Sequence, residues 1–375
     1  MRHRDRVRAA LAREVPDRCP MQVSFTPEFA ERLRRDLVAR GLLADADFAL
    51  NSDGVRAGQH NPHGGGNTYE LERALDEDIL LTSVGWANGY YAAGDEYLDE
   101  WGVRWRSQPY ETRFGTGRYT EMVGHPLADD AALASYVPPD PDRDSLYVDA
   151  EHVIRTYGDE YFIVGATVTT IWETAWALRG YTQLLIDMVT DEDLADAIFE
   201  IPFRYHMAAA ERLAAMGVDM LWTGDDIGTQ RGMLFSPATW RRFLKPRMAE
   251  LIARVKAANP ALKVAYHTDG DVRQVLPELA EIGIDVLNPV QPACMDPAWI
   301  KREYGDRLLF WGSIDEQRTL PFGTPQDVRD EIRLRLDTIG RGGGLILGPT
   351  HHVQLDTPLE NFWAMVEAIR DSPCR

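Results

Sequence analysis

The chain has 375 residues, 45% of them apolar, and a formal net charge of −19 at pH 7. This charge repels nucleic acids and anionic membranes at long range, and no stretch approaches the roughly 20 uninterrupted apolar residues of a membrane helix. Three cysteines without a CxxC pair predict neither a disulfide framework nor a Cys-rich zinc module. The Arg-rich first segment contains Asp5, Glu14 and Asp17, which break the acid-poor pattern of transit peptides. We therefore expect a cytoplasmic protein folded as one domain, residues 1–375.

Short β-branched or apolar runs, each ending in Gly, Asp, Asn or Pro, predict eight strands. They are residues 19–25, 79–84, 162–168, 218–223, 263–267, 285–289, 308–312 and 345–348. Segments with helical spacing separate the later runs, as expected of βα units that build a parallel sheet. This order predicts an α/β fold, a (β/α)8 TIM barrel with an N-terminal extension.

Two helix starts follow the last two runs. Thr324 is placed to cap a helix with Pro325 at its first position, and Gly340 is predicted to close that helix in a left-handed conformation. Thr357, followed by Pro358 and Glu360, predicts a second cap completed as a capping box.

The second and third predicted strands are about 80 residues apart in the sequence. Around residues 95–125, aromatic and polar residues alternate as in small antiparallel strands, which predicts a β excursion from the barrel. Residues 51–67 hold too much Gly, Asn and Pro for regular structure. They are predicted to form either a disordered connection or a lid over the barrel mouth.

Polar side chains follow nearly every strand of the second half, where barrels of this kind carry their reactive groups. His267 and Asp269 stand two apart at a strand end, so both side chains can point the same way and chelate a metal, with His351 as third ligand. The alternative is a metal-free pocket in which Asp269 orients the ring of His267.

Asp225 and Asp226 are adjacent, so in extended geometry only one of them enters the pocket well. One is predicted to act as general acid/base or to bind a cationic group, the alternative being a helix N-cap beside a solvated neighbour. Asn288 and Gln291 are predicted to hydrogen-bond a ligand. Asp315 is predicted either to join them or to stabilise a turn.

The later motifs resemble a known family. The succession GDDIGTQRGMLFSP, HTDGDVRQVLPELAEIGIDVLNPVQP, GSIDEQRTLPFGTP and GGGLILGPTHHVQLDTPLENFWAMVEA resembles the uroporphyrinogen decarboxylase superfamily, in a branch related to its corrinoid- and zinc-dependent methyltransferases. DEWGVRWR, HPLAD and TAWALRG match the same branch, so the resemblance covers most of the chain from about Asp95 onward. It implies a homodimer, because dimers are common in the family.

The resemblance also separates two chemistries. The family's decarboxylases hold their polycarboxylate with an Arg-rich, PxWxMRQAGR-like segment, and the matching CPMQVSFTPEF here has no arginine. Its methyltransferases bind zinc through HxC and a distant Cys before a TPLEN-like helix start. His267 matches that histidine, Asp269 replaces the first cysteine and His351 the second. Such a set suits zinc, and also Fe(II) or Mn.

Three functional hypotheses follow. The first is a metal-dependent methyltransferase or demethylase for a small substrate, with a corrinoid or corrinoid protein as methyl carrier and Asp225 or Asp226 as acid/base. The second is a metal-free decarboxylase in which Arg179 or Arg231 holds a carboxylate of a tetrapyrrole or another substrate. The third is a non-catalytic protein that binds a corrinoid or tetrapyrrole.

Overall fold

The computed structural model describes residues 1–44, 69–84 and 96–373. The connection 51–67 therefore lies outside the described residues. The strands are β1 Ile79–Ser83, β2 Glu96–Leu98, β3 Arg104–Thr112, β4 Gly115–Gly124, β5 Phe162–Val168, β6 Met220–Gly224, β7 Gly228–Thr229, β8 Gly232–Met233, β9 Lys263–His267, β10 Val286–Asn288, β11 Leu309–Ile314 and β12 Leu345–Pro349.

The described helices surround these strands. They are α1 His3–Leu11, α2 Pro27–Ala39, α3 Glu70–Ala74, α4 Val148–Tyr157, α5 Trp172–Arg179, α6 Tyr181–Thr190, α7 Glu192–Met216, α8 Pro237–Phe243, α9 Lys245–Ala258, α10 Leu276–Glu281, α11 Pro297–Tyr304, α12 Thr319–Phe322, α13 Pro325–Asp337 and α14 Leu359–Asp371, with 3-10 turns at Asp130–Ser135 and Asp144–Tyr147. In the described ranges, no helix has the length and apolar character that crossing a membrane demands.

Seven parallel strands form the curled sheet of the barrel, in the chain order β1-β5-β6-β9-β10-β11-β12. The predicted first strand, 19–25, is not a regular strand and makes only two parallel bridges to the last part of the barrel, Met21↔Leu347 and Phe25↔Val353. Towards β1, side chains take the place of ladder bonds, because the N–H of Met21 donates to Asp78 Oδ2 at 2.8 Å and that of Val23 to Glu77 Oε2 at 2.9 Å. The TIM-barrel prediction is thus confirmed, with an irregular eighth position.

Apolar side chains fill the barrel interior at the end where its strands begin. Strand residues that point inward form one buried apolar cluster with Val7 and Leu11 of α1. The inward-pointing set is Ile79, Leu81, Phe162, Val164, Met220, Ala265, Val286, Leu309, Trp311 and Ile346. Because α1 covers this end, the open end of the barrel is the one where the strands finish, which is where such folds carry their sites.

The antiparallel excursion is confirmed as the three-stranded sheet β2-β3-β4. Its long hairpin pairs β3 with β4 from Arg104↔Gly124 to Thr112↔Gly115. The N–H of Arg118 donates to Glu28 Oε1 of α2 at 3.2 Å, which ties the hairpin to the barrel. The hairpin supplies one wall of the cavity described below.

Two of the predicted helix boundaries need correction. Thr324 caps α13 as predicted, in a capping box with Asp327. Gly340, however, is not left-handed, because α13 already ends at Asp337 and the positive φ angles fall at Gly342, Gly343 and Gly344. The capping box at Thr357 is also wrong: Pro358 is the N-cap of α14, so the helix starts one residue too late for the threonine hydroxyl to reach it.

Candidate metal centre and cavity

A cavity of about 620 Å³ opens at the C-terminal ends of the barrel strands. Its size is that of a small-molecule site. The residues that matter most below are Glu173, Trp222, Asp226, His267, Asn288 and His351, all of which line it. The predicted pocket at the strand ends of the second half therefore includes residues of β6, β9 and β10 and of the loops after β6 and β12, but none of the described loop after β11.

His267, Asp269 and His351 come together beside this cavity. Each offers one ligand atom, and the three atoms lie within 4.8 Å of one another although His351 is 84 positions after His267. The two imidazole ring centroids are 6.1 Å apart. A spacing of this kind allows a single cation to be reached by all three side chains.

Asn288 holds the ring of His267 in one orientation. Its Oδ1 accepts both His267 Nδ1–H at 2.7 Å and Trp222 Nε1–H at 3.1 Å, while its Nδ2 donates to the carbonyl of Trp311 at 3.3 Å. Since the indole N–H can only donate, the amide oxygen must face the imidazole, and Nδ1 carries the proton. Nε2 is then left with a lone pair for a ligand.

The two adjacent aspartates divide as predicted between the cavity and a helix start. Asp225 is buried and accepts the N–H groups of Ile171 and Glu173 at 2.9 and 3.0 Å, so it caps α5, and burial raises its pKa to about 7. Asp226 lines the cavity, with Oδ1 3.6 Å from His267 Nε2. The same oxygen accepts the N–H of Asp269 at 2.7 Å, so Asp226 also fixes the loop that carries a predicted ligand.

Gln291 holds the Asp269 loop in place. Gln291 Oε1 accepts the N–H of Gly270 at 2.7 Å, and a hydrogen bond from Gln291 also stabilises the Asp269 carboxylate. Burial nevertheless raises the pKa of Asp269 to about 6.

Beneath His267, Gly224 adopts φ +132°, and a Cβ there would stand 2.2 Å from the His267 carbonyl oxygen. The end of β6 beside His267 therefore requires glycine.

Two carboxylates near the centre were missed in the sequence. Glu173 lies on the cavity wall, where burial, with Asp226 next in effect, raises its pKa well above the usual range. Glu316 accepts the backbone N–H of His351, and burial raises its pKa to about 9. Glu173 follows strand β5, so the strand-end rule applied to the first half would have found it. Glu316 stands directly after Asp315, the residue of this loop that the sequence indicates as a candidate ligand-binding group.

His351 reaches the cavity from the loop after β12. His351 is exposed where it opens into the cavity. The protein packed around it still disfavours the charged imidazole and, with His267 next in effect, lowers its pKa to about 4. The neutral imidazole that results is the form that ligates metals. His352, the next residue, contacts it with Nδ1 3.3 Å from Nδ1.

Four predicted ligand-binding residues do not line the cavity. Gln291 is buried, and its Oε1 accepts the N–H of Gly270 instead. Arg179 is buried in ion pairs, with Nε 2.7 Å from Asp187 Oδ2 and Nη2 2.5 Å from Asp130 Oδ1. Arg231 is exposed in the turn between β7 and β8. Asp315 stabilises a turn instead, because its Oδ1 accepts the N–H groups of Gln317 and Arg318 at 2.8 and 3.0 Å.

The donor set fits a cation. In the described residues, buried Asp269 Oδ1 and Glu316 Oε2 have no hydrogen-bond partner. A buried carboxylate oxygen without a partner is costly, and a bound cation removes that cost. Two imidazoles and a carboxylate suit zinc, Fe(II) or Mn.

The comparison with known families covers most of the chain. The profile described as "Uroporphyrinogen decarboxylase (URO-D)" matches residues 110–372. The chain belongs to the uroporphyrinogen decarboxylase family. It is related to the corrinoid methyltransferases of this superfamily as well as to its decarboxylases.

Relatives of the URO-D chain carry both activities in their names. It is 29% identical over 176 residues to a methylcobamide:CoM methyltransferase of Methanosarcina barkeri, covering 47% of this chain and 48% of that one. It is 24% identical over 317 residues to a uroporphyrinogen decarboxylase of Methylococcus capsulatus, covering 80% and 81%. The matched region spans about half the length of the first of these relatives.

A solved methyltransferase from Methanosarcina mazei shares the fold. It superposes with a TM-score of 0.68 at 20% identity, covering 99% of both chains. At this identity the superposition supports the barrel architecture and says nothing about the reaction.

Proposed function

We propose that this URO-D protein is a metal-dependent methyltransferase or demethylase for a small substrate, with His267, Asp269 and His351 holding a divalent cation. The observation that carries the proposal is the convergence of these three ligand atoms to within 4.8 Å beside the cavity. The methyltransferase names among its relatives support it.

The chain's own residues have separate tasks in this proposal. When bound, the cation acts as a Lewis acid that lowers the pKa of a thiol, hydroxyl or water. Asn288 keeps His267 Nε2 free to ligate, and Glu316 holds the backbone at His351. Asp226, 3.6 Å from His267 Nε2 and open to the cavity, accepts or returns the substrate proton.

A corrinoid, alone or on a partner protein, is proposed as the methyl carrier. The support is the word methylcobamide in the relatives' names. The homodimer and the cytoplasmic location stay predictions.

The decarboxylase alternative has less support from the geometry. It needs a cationic group to hold the departing carboxylate, and neither Arg179 nor Arg231 lies at the cavity. Among the described residues of the cavity wall, Arg118 is the one guanidinium, against several carboxylates. The third hypothesis, a non-catalytic binding protein, predicts no turnover of any substrate. Only an activity assay separates it from the other two hypotheses.

The test begins with the metal. Purified protein, stripped with a chelator and reloaded with Zn, Fe(II) or Mn, should bind one ion per chain. His267→Ala and His351→Ala should weaken binding by more than the roughly 10- to 100-fold that loss of an outer hydrogen-bond partner costs. His152→Ala, on helix α4 and away from the cavity wall, is the control.

The second stage measures methyl transfer from methylcobalamin to a panel of thiols, and from methylated donors to cob(I)alamin. Metal-dependent turnover that His351→Ala abolishes supports the proposal. Absence of metal binding, or equal affinity in the two histidine variants and the control, overturns it.

A further inference from the structure

The described cavity wall has four carboxyl groups and a single guanidinium. Glu28, Glu72, Glu173 and Asp226 line it, and Arg118 is the one described lysine or arginine that does. Arg118 Nε donates to Ser107 Oγ at 2.8 Å, so this guanidinium is partly engaged within the hairpin. Asp269, which is not one of these four residues, offsets part of the charge of a divalent cation at the proposed centre. The wall favours a cationic ligand over an anionic one, because a cation beside Glu173 stabilises its ionised form whereas an anion opposes it.

Aromatic side chains make up much of the remaining wall. Trp105, Tyr110, Tyr119, Trp176 and Trp222 all line the cavity. The faces of such rings carry negative electrostatic potential, and they attract cations whose charge is spread over methyl groups. Burying a cation without a compensating group is costly, and here both rings and carboxylates compensate.

One helix face combines the two features. Glu173 and Trp176 are three residues apart on α5, so they lie on the same side of the helix, and both line the cavity. Glu173 is held in place, since its Oε2 accepts the N–H of Asp226 at 3.3 Å. Trp222 is held as well, by its bond to Asn288. The wall is therefore largely organised before any ligand arrives, which reduces the entropy cost of binding.

We infer that the substrate carries a positively charged methylated onium group, a quaternary ammonium or a sulfonium, bound against Trp176 and Trp222 beside the carboxyl groups of Glu173 and Asp226. The inference rests on the proposed function only in that the onium methyl is the group transferred. In that step the bond from the methyl carbon to nitrogen or sulfur breaks and its electron pair stays on the leaving atom. A new bond forms from the methyl carbon to a thiolate or a cob(I)alamin acceptor, and a neutral amine or thioether leaves.

The experiment compares probes of equal shape and different charge. Choline, its sulfonium analogue (2-hydroxyethyl)dimethylsulfonium, neutral 3,3-dimethylbutan-1-ol and anionic 3,3-dimethylbutanoate are titrated into the full chain, with the methyl proton resonances followed by NMR. At least one onium probe should bind about tenfold more tightly than the neutral isostere. Whichever onium probe binds more tightly indicates whether the substrate carries an ammonium or a sulfonium group.

Variants localise the site. Glu173→Gln and Trp176→Leu should each reduce the preference for the onium probe over the neutral isostere by about threefold or more, and Trp176→Phe should restore most of it. Glu250→Gln, at an exposed position of α9, should leave the preference unchanged. Circular dichroism confirms that each variant is folded, and the phenylalanine variant keeps the test decisive if the leucine variant unfolds.

The two proposals fail in different ways. Selectivity for the onium probes is measured in chelator-treated protein and in His351→Ala, so it does not depend on metal or turnover. Onium selectivity without metal-dependent methyl transfer refutes the proposed function and leaves the onium site standing. Equal or tighter binding of the neutral or anionic probe overturns the onium inference whatever the metal result.

Discussion

His267 and Asn288 are paired twice, through backbone and through side chain. They are register partners in the parallel pair β9–β10, and the N–H of Thr268 donates to the Asn288 carbonyl at 2.8 Å. The imidazole Nδ1 of His267 then donates to the amide Oδ1 of Asn288 at 2.7 Å. The backbone ladder already fixes the Cα positions of both residues. The side-chain hydrogen bond therefore sets the orientation of the His267 imidazole, which is the proposed metal ligand.

Replacing Asn288 should therefore affect the metal more than the fold. Asn288→Leu keeps similar volume but removes the acceptor that defines the His267 tautomer, so divalent-metal affinity should fall about 10- to 100-fold. Competition with a chromophoric chelator measures it. Asn361→Leu removes another buried amide, which holds the carbonyls of Leu320 and Gly323, and should cost stability without changing metal affinity. Equal affinity in both variants would contradict the role of Asn288.

Arg179 should behave as a structural residue. Removing it leaves Asp187 buried without its guanidinium, so Arg179→Leu should lower the free energy of unfolding by about 3–5 kcal/mol. The double variant Arg179→Leu/Asp187→Leu should recover much of the loss, because no unpaired charge remains. Urea unfolding of both variants measures the difference. If the single variant is as stable as wild type but binds carboxylated probes more weakly, the decarboxylase hypothesis regains its arginine.

How much the sequence predicted depends on whether the signal was local. Strand runs such as 263–267 follow from apolar pattern and were found to the residue at β9. The first run, 19–25, has the same pattern and bonds the backbone of β12 on one side, but on its other side the N–H groups of Met21 and Val23 donate to Asp78 and Glu77. No local pattern shows that two carboxylates will replace the ladder on that side.

The candidate site shows the same difference between local sequence signals and tertiary contacts. The strand-end rule brought His267, Asp269 and His351 into one hypothesis, and the three cluster in the structure. The arginines were chosen only for their charge, and Arg179 finds its partners on α6 and in the 3-10 turn that begins at Asp130. The position of Glu173 after β5 was open to the strand-end rule, but its pairing with the backbone of Asp226 was not. Charge type is readable from sequence, whereas the partner of a charge is a tertiary property.

Gly224 should be intolerant of even one added carbon. Gly224→Ala places a Cβ 2.2 Å from the His267 carbonyl oxygen at φ +132°, so the end of β9 must shift. Gly217 is the matched control, since it has φ +94° with nothing within 4 Å of an added Cβ. Gly217→Ala should cost about 1–2 kcal/mol for backbone strain alone, and Gly224→Ala a further 1–3 kcal/mol or so for overpacking. Metal affinity should fall only in Gly224→Ala; a drop in both variants, or in neither, would refute the link between this glycine and the metal centre.

His206 should make the protein sensitive to acid. It is fully buried on α7, stacked on Trp101 with ring centroids 6.1 Å apart, and in the described residues neither ring nitrogen has a hydrogen-bond partner. Burial lowers its pKa to about 3, so the folded chain keeps it neutral where the unfolded chain protonates it. The unfolded state therefore binds more protons between about pH 3 and 6.5, and stability falls as pH drops through that window by up to about 1.4 kcal/mol per unit.

The substitution His206→Leu isolates this contribution. It removes the titrating group and two unpaired nitrogens at similar volume, so the variant should be at least as stable as wild type at pH 7 and about 2 kcal/mol more resistant at pH 5. Urea unfolding at a series of pH values measures both slopes. His152→Leu, at a half-exposed histidine of α4, should leave the slope as in wild type. Parallel slopes for wild type and His206→Leu would mean that His206 is charged or solvated in the folded protein, because only a buried neutral imidazole resists folding in acid in this way.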